Sequence, residues 1–156
     1  MKREHKYTIE MKWTGNLGMG TESYTSYTRN HEIKKKGGHL IAGSSDSAFR
    51  GDAERYNPEE LLLSTLSSCH MLMYLHFCAV NKITLTEYVD QPVGIMQEEE
   101  NGSGRFTSAT LKPIIKIVEP EKVEKAKELH HQAHEYCFIA NSVNFPINVE
   151  PNIIVE

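Results

Sequence analysis

The sequence predicts an α+β fold on three observations. Short alternating apolar and polar segments open the chain and recur after residue 82. A long apolar segment from Asn57 to Asn81 begins with helix-start signals. A charged helical pattern then precedes a closing pair of apolar triplets. The order is strands, long helix, strands, helix, strand. At 156 residues, with no linker, repeat or low-complexity tract, residues 1–156 are expected to form a single domain.

Taken in order, Tyr7, Ile9, Met11 and Trp13 alternate with Lys6, Thr8, Glu10 and Lys12, the period of a strand with one buried face. Thr14 to Gly20 is a glycine-punctuated turn. Ser23 to Arg29 and His31 to Ile33 are further strand candidates, followed by a polar loop through Gly37 and Gly38. Gly43 to Tyr56 has no periodicity, and long loops in small domains tend to be functional. Asn57 is an N-cap, Pro58 suits the first helical position and Glu60 stands three residues past the cap. The helix should run from Pro58 to about Asn81, apolar on every side and covered on all faces. Ile83 to Tyr88 and Val93 to Gln97 read as strands, and Asn101-Gly102 as a hairpin turn. Phe106 to Val118 continues as a strand in which Pro113 marks an edge or bulge. A second helix runs from Pro120 to about Tyr136, with Glu121 and Lys125 as an i,i+4 pair on a solvated face. Ile147 to Val149 and Ile153 to Val155 close the fold.

Composition narrows the function. A net charge of −4 and a pI near 6.1 leave no basic footprint for nucleic acid or an anionic membrane. Ser64, Thr65, Ser67, Ser68, His70 and His76 interrupt the apolar helix, which argues for a core helix over a membrane span. The first residues carry no apolar signal-peptide region, and three cysteines are too few for a disulfide scaffold, so a reducing, cytoplasmic setting is expected.

Cys69 lies in that helix between Ser67, Ser68 and His70, a polar patch in apolar surroundings. A helical cysteine is usually packing, but a thiol with polar neighbours and a second cysteine downstream is a candidate redox centre. It lies too far from the helix start for the dipole to activate it, so a cation must come from elsewhere, and the long loop offers Arg50 and Arg55. Glu59 is an ordinary first-turn acid unless it holds such an arginine. Cys137 follows the second helix and reads as packing beneath Phe138 and Ile139; Cys78 reads as packing too. His130 and His134 have the i,i+4 spacing of two metal ligands, but no motif completes the set, and a solvated helix face with no metal is the reading preferred. Gly15-x-x-Gly18-x-Gly20 lacks the lysine and the following helix of a phosphate loop.

The run Asn57-Pro58-Glu59-Glu60-Leu61, then Ser68-Cys69-His70, with Cys137 after a later helix, resembles the OsmC/Ohr family of osmotically inducible and organic hydroperoxide resistance proteins. Gly43 to Asp52 looks like an OsmC-like subgroup. The resemblance implies an intertwined α+β homodimer, with antiparallel sheets wrapped around long central helices and two active sites at the dimer interface. It implies an antioxidant, stress-response enzyme that reduces organic hydroperoxides without metal or organic cofactor, recycled by a small dithiol or lipoyl-type reductant. By residue it makes Cys69 the peroxidatic thiol, Cys137 the resolving thiol, and Glu59 the acid that orients the activating arginine. The family's arginine position falls nearer Ala48, so Arg50 is the candidate, with Arg55 and Arg29 behind it; Phe138 stands where many members carry proline.

On this reading a Cys69 thiolate attacks the distal peroxide oxygen, an alcohol leaves, and the resulting sulfenic acid condenses with Cys137. Leu66, Met71, Met73, Tyr74 and Phe138 would favour an organic peroxide. Two other readings stay open. One is a non-enzymatic dimeric binding module or thiol redox sensor built on the Cys69 crevice. In the other His70 activates the thiol, against which adjacent helical side chains point about 100° apart.

Overall fold

The computed structural model describes residues 3–156, which pack as two compact units, the first ending at Leu61 and the second spanning Leu62–Glu156. The first holds a three-stranded antiparallel sheet in the order β1 (Glu10–Trp13), β2 (His31–Lys34), β3 (Ile41–Gly43). Between β1 and β2 the Asn16 carboxamide accepts from the Gly18 and Gly20 amides at 2.9 and 3.0 Å. Both glycines have positive φ, 110° and 55°, which is why glycine is needed in this turn.

Two expectations fail in this unit. The alternation at Tyr7 does not bury a face: pairing starts only at Glu10, and Tyr7, Ile9, Met11 and Trp13 are all exposed. A sheet buries its apolar face only against another layer, and within this unit only Trp13 of the four meets another ring, that of Tyr27, edge-on at 5.8 Å. Ser23 to Arg29 is a run of turns instead of a strand, with one bridge from Tyr27 to Asn16. The Ser26 hydroxyl donates to the Gly20 and Ser23 carbonyls, so side-chain bonds replace a strand ladder there.

The long helix α1 spans Pro58–Val80. Its start is a reciprocal capping box: Glu60 N–H donates to Asn57 Oδ1 at 2.8 Å, and Asn57 N–H donates to Glu60 Oε2 at 3.0 Å. The helix is not covered all round. Its fully buried positions form one stripe, Leu66, His70, Tyr74 and Cys78, while Leu72 and Val80 are more than 60% exposed. Its length and hydropathy match a membrane-crossing helix, and only 22% of its most apolar window is buried. Its polar residues nevertheless bond to protein groups, Ser67 to Asp90 and His70 to His130.

The second unit carries two three-stranded sheets. One has the order β4 (Leu85–Asp90), β7 (Pro113–Ile117), β9 (Asn152–Val155); the other has β5 (Val93–Glu98), β6 (Gly104–Leu111), β8 (Ile147–Val149). The expectation of antiparallel sheets holds only in part, because β6 with β8 and β7 with β9 are parallel. The run from Phe106 to Val118 is likewise two strands in different sheets. Lys112, at the break, gives its N–H to the Asp90 carboxylate at 2.7 Å, and Pro113, which has no N–H, is the first residue of β7.

After a 3-10 turn at Pro120–Lys122, helix α2 runs Val123–Tyr136. Its ion pairs are Lys125 with Glu128 and Lys127 with Glu124, so the expected Glu121–Lys125 pair is not the one formed. Such exposed pairs contribute about 0–1 kcal/mol each. The core of this unit has two clusters. Tyr74 and Cys78 of α1 meet Ile115, Ile117, Ala126, Leu129 and Ala133, and Leu66 meets Ala109 and Leu111. Gly94 of β5 permits a close approach: a Cβ there would stand 2.6 Å from the Phe106 ring and 2.9 Å from Leu63 of α1.

Candidate active site

Cys69 is half-buried on α1, in a stretch that polar bonds hold in place. Two residues before it, the Ser67 hydroxyl donates to Asp90 Oδ2 at 2.5 Å, and the other Asp90 oxygen holds the Lys112 amide. One carboxylate therefore ties the helix to the end of β4 and to the β6–β7 junction. The residue after Cys69 is His70, only 1% exposed, and its ring packs parallel to that of His130 on α2. His70 Nε2 and His130 Nδ1 are 3.0 Å apart, and the His130 ring stacks on Tyr74 with centroids 3.8 Å apart. The Tyr74 hydroxyl donates to the Ala126 carbonyl at 3.1 Å. Burial, then the field of His134, pulls the His70 imidazole down to about 4. Burial, then His70 and His131, pulls His130 down to about 3.

Cys137 is the C-cap of α2 and is fully buried, while Phe138 beside it is 72% exposed. Its sulfur accepts from the Ala140 amide at 3.4 Å. Burial pushes the Cys137 thiol up to about 11, and the neighbouring Cys69 thiol adds to the rise. The structure thus brings Cys69 and Cys137 together, both as free thiols. Cys78 is core, its thiol raised first by burial. Leu66 and Tyr74, expected to face a substrate, are fully buried in the core clusters.

The other expected site residues lie in the first unit. Arg50 is exposed and ends the 3-10 turn Ser47–Phe49 in the left-handed region, with φ 63° and its Cζ 5.9 Å from the Tyr24 ring. Glu59 is half-buried in the first turn of α1. Arg55 is paired with Asp52 at 3.3 Å. Arg29 lies over the rings of Tyr24 and Tyr27, at 4.2 and 4.4 Å, and its buried Nη2 has no partner among the described residues.

Sequence reasoning misplaced His130, which is 3% exposed and not on a solvated face. A signal was present: Ala126, Leu129 and Ala133 set an apolar stripe at helical spacing, and His130 falls within it. Among the described residues no group of three or more His, Cys, Asp or Glu is placed to hold a metal ion.

The model of the OsmC-like protein family matches residues 51–152. An OsmC-like protein of unknown function from Vibrio cholerae is 30% identical, with a TM-score of 0.80 over 97% of this chain and 100% of that one. An organic hydroperoxide resistance protein from Elizabethkingia anophelis has a TM-score of 0.68 at 22% identity, over 99% of this chain and 100% of its own. A third structure, an organic hydroperoxide resistance protein OsmC from Legionella pneumophila, has a TM-score of 0.67 at 18% identity, over 96% of this chain and 98% of its own. At those lower identities the likeness is one of fold. No curated protein matches the sequence.

Proposed function

Because the chain belongs to the OsmC-like protein family, we propose that it is a thiol-dependent peroxidase that reduces organic hydroperoxides, with Cys69 as peroxidatic and Cys137 as resolving thiol. The observation that carries this reading is the proximity of the two cysteine side chains, near enough for Cys69 to raise the Cys137 thiol beyond the effect of burial. The substrate class is supported by two relatives of the same fold that are named for organic hydroperoxide resistance.

The chemistry runs in three balanced steps. The Cys69 thiolate attacks the distal oxygen of ROOH, the O–O bond breaks, and the alkoxide takes up a proton to leave as ROH. Cys69 is then a sulfenic acid. Cys137 gives up its proton, its thiolate attacks that sulfur, the S–O bond breaks, and the departing hydroxide takes up the proton to leave as water, giving a Cys69–Cys137 disulfide. An external dithiol of the lipoyl type then reduces the disulfide by exchange.

The proposal extends to Arg50 as the cation at the reacting sulfur and Glu59 as the acid that holds it. Glu59 precedes Cys69 by ten residues on α1, a rise of about 15 Å. The proposal therefore assigns Glu59 and Arg50 of one subunit to Cys69 of the other, in a cytoplasmic homodimer whose chains each act as one domain. The exposed Tyr7, Ile9 and Met11 of the first unit and Leu72 and Val80 of α1 support a second copy, since so much apolar surface needs a cover. Sedimentation checks this part: the expected mass is twice the 17.8 kDa chain, and a monomer at micromolar concentration contradicts it. Alkylation of Cys69 by iodoacetamide tests the arginine. Arg50→Ala is expected to slow it about tenfold or more, and an unchanged rate removes Arg50 from the site.

A further inference from the structure

A cavity of about 490 Å³ lies along α2, lined by His130, His131 and His134 and by Ile147, Val149 and Pro151 from the strand side. Its histidines are not used by the thiol chemistry. His130 is 3% exposed, and its Nδ1 faces His70 Nε2 at 3.0 Å. The other ring nitrogen, Nε2, lies on the ring edge turned away from His70, is buried and has no partner among the described residues. One turn on, at i,i+4, His134 also has a buried ring nitrogen, Nδ1, without a partner. Both histidines line the cavity, and each keeps one buried ring nitrogen without a partner, an unmet bond that a ligand could satisfy.

The electrostatics favour a cation over an anion. The histidines occupy the last two turns of α2, where unpaired carbonyls give a negative potential. The lining ammonium, Lys127, is already paired with Glu124 at 2.7 Å. Neutral imidazoles at i,i+4 can offer two lone pairs on one side of a helix, and imidazole suits zinc, copper and nickel. A ligating histidine ordinarily donates its second ring N–H to an acceptor, which fixes its tautomer. The His70 Nε2–His130 Nδ1 contact carries one proton; with that proton on His130, His130 Nε2 is bare for the ion and the His70 proton sits on its buried Nδ1, which has no partner among the described residues. We propose that His130 and His134 form a two-histidine site for a divalent transition-metal ion, with His70 orienting His130. No third protein ligand joins them among the described residues, so water completes the coordination and the ion exchanges.

Titration of the full chain with Ni²⁺ by calorimetry tests this, with the thiols' contribution read from Cys69→Ser. The expected result is one ion per chain, bound equally by Cys69→Ser and about tenfold or more weaker in His134→Ala. In the wild type, paramagnetic Ni²⁺ should broaden the ring NMR signals of His130 and His134 ahead of those of the other histidines, a readout that needs no variant. Absence of binding, binding unchanged in His134→Ala, binding lost in Cys69→Ser, or broadening confined to other histidines would each overturn the proposal. It rests on no reading of the thiols, so its failure leaves the peroxidase reading untouched.

Discussion

Replacing Cys69 with serine is expected to drop cumene hydroperoxide turnover, with dithiol as reductant, by a thousandfold or more, on the order of the loss when a covalent nucleophile is removed. A serine hydroxyl neither ionises at neutral pH nor forms a stable sulfenic acid equivalent, so the first step has no nucleophile. Cys137→Ser should behave differently. Its Cys69 still reacts once per chain, but the sulfenic acid has no resolving thiol and persists long enough for dimedone to trap it. The variants therefore separate the two roles that the paired thiols suggest. A Cys69→Ser protein with wild-type turnover removes this thiol from the chemistry. A wild type without turnover, with both thiols slow to alkylate, points to a binding module instead.

Acidification is expected to destabilise the fold through the His70–His130 pair. Both rings titrate lower in the folded chain than the ordinary 6.5, at about 4 and about 3, chiefly because burial disfavours the charged form. Below pH 6.5 the unfolded chain takes up protons that the folded chain refuses, so stability is full above that pH and falls as pH drops towards 4 and then 3. A tenfold loss of proton affinity on folding corresponds to about 1.4 kcal/mol, and for two buried rings that share a contact the combined loss is on the order of several kcal/mol. Domains of this size are stable by only about 5–15 kcal/mol. Urea midpoints at pH 7 and pH 4.5 should show the loss, and a His70→Phe, His130→Phe double variant should show less of it. Equal midpoints at the two pH values in the wild type would contradict the buried, neutral pair.

What the sequence made legible was what short-range chemistry decides. Asn57, Pro58 and Glu60 announce the start of α1 because a capping box is local. The family resemblance rests on that same motif and on Cys69. Long-range placement was harder to read. No local rule shows that Cys137 meets Cys69, or that Asp90 holds both Ser67 and Lys112. The split of Phe106 to Val118 between two sheets turns on Lys112 and Pro113, where periodicity sees only a continuous apolar run. The apolar faces of β1 and α1 were read as buried because apolar patterning reports that a face needs a cover, not whether the same chain supplies it.

The most direct test is to treat the reduced wild type with one equivalent of cumene hydroperoxide and map its disulfides by peptide mass under non-reducing conditions. The account predicts a single intrachain Cys69–Cys137 bond with Cys78 still free. Both thiols unchanged, or Cys69 joined to Cys78, would contradict it.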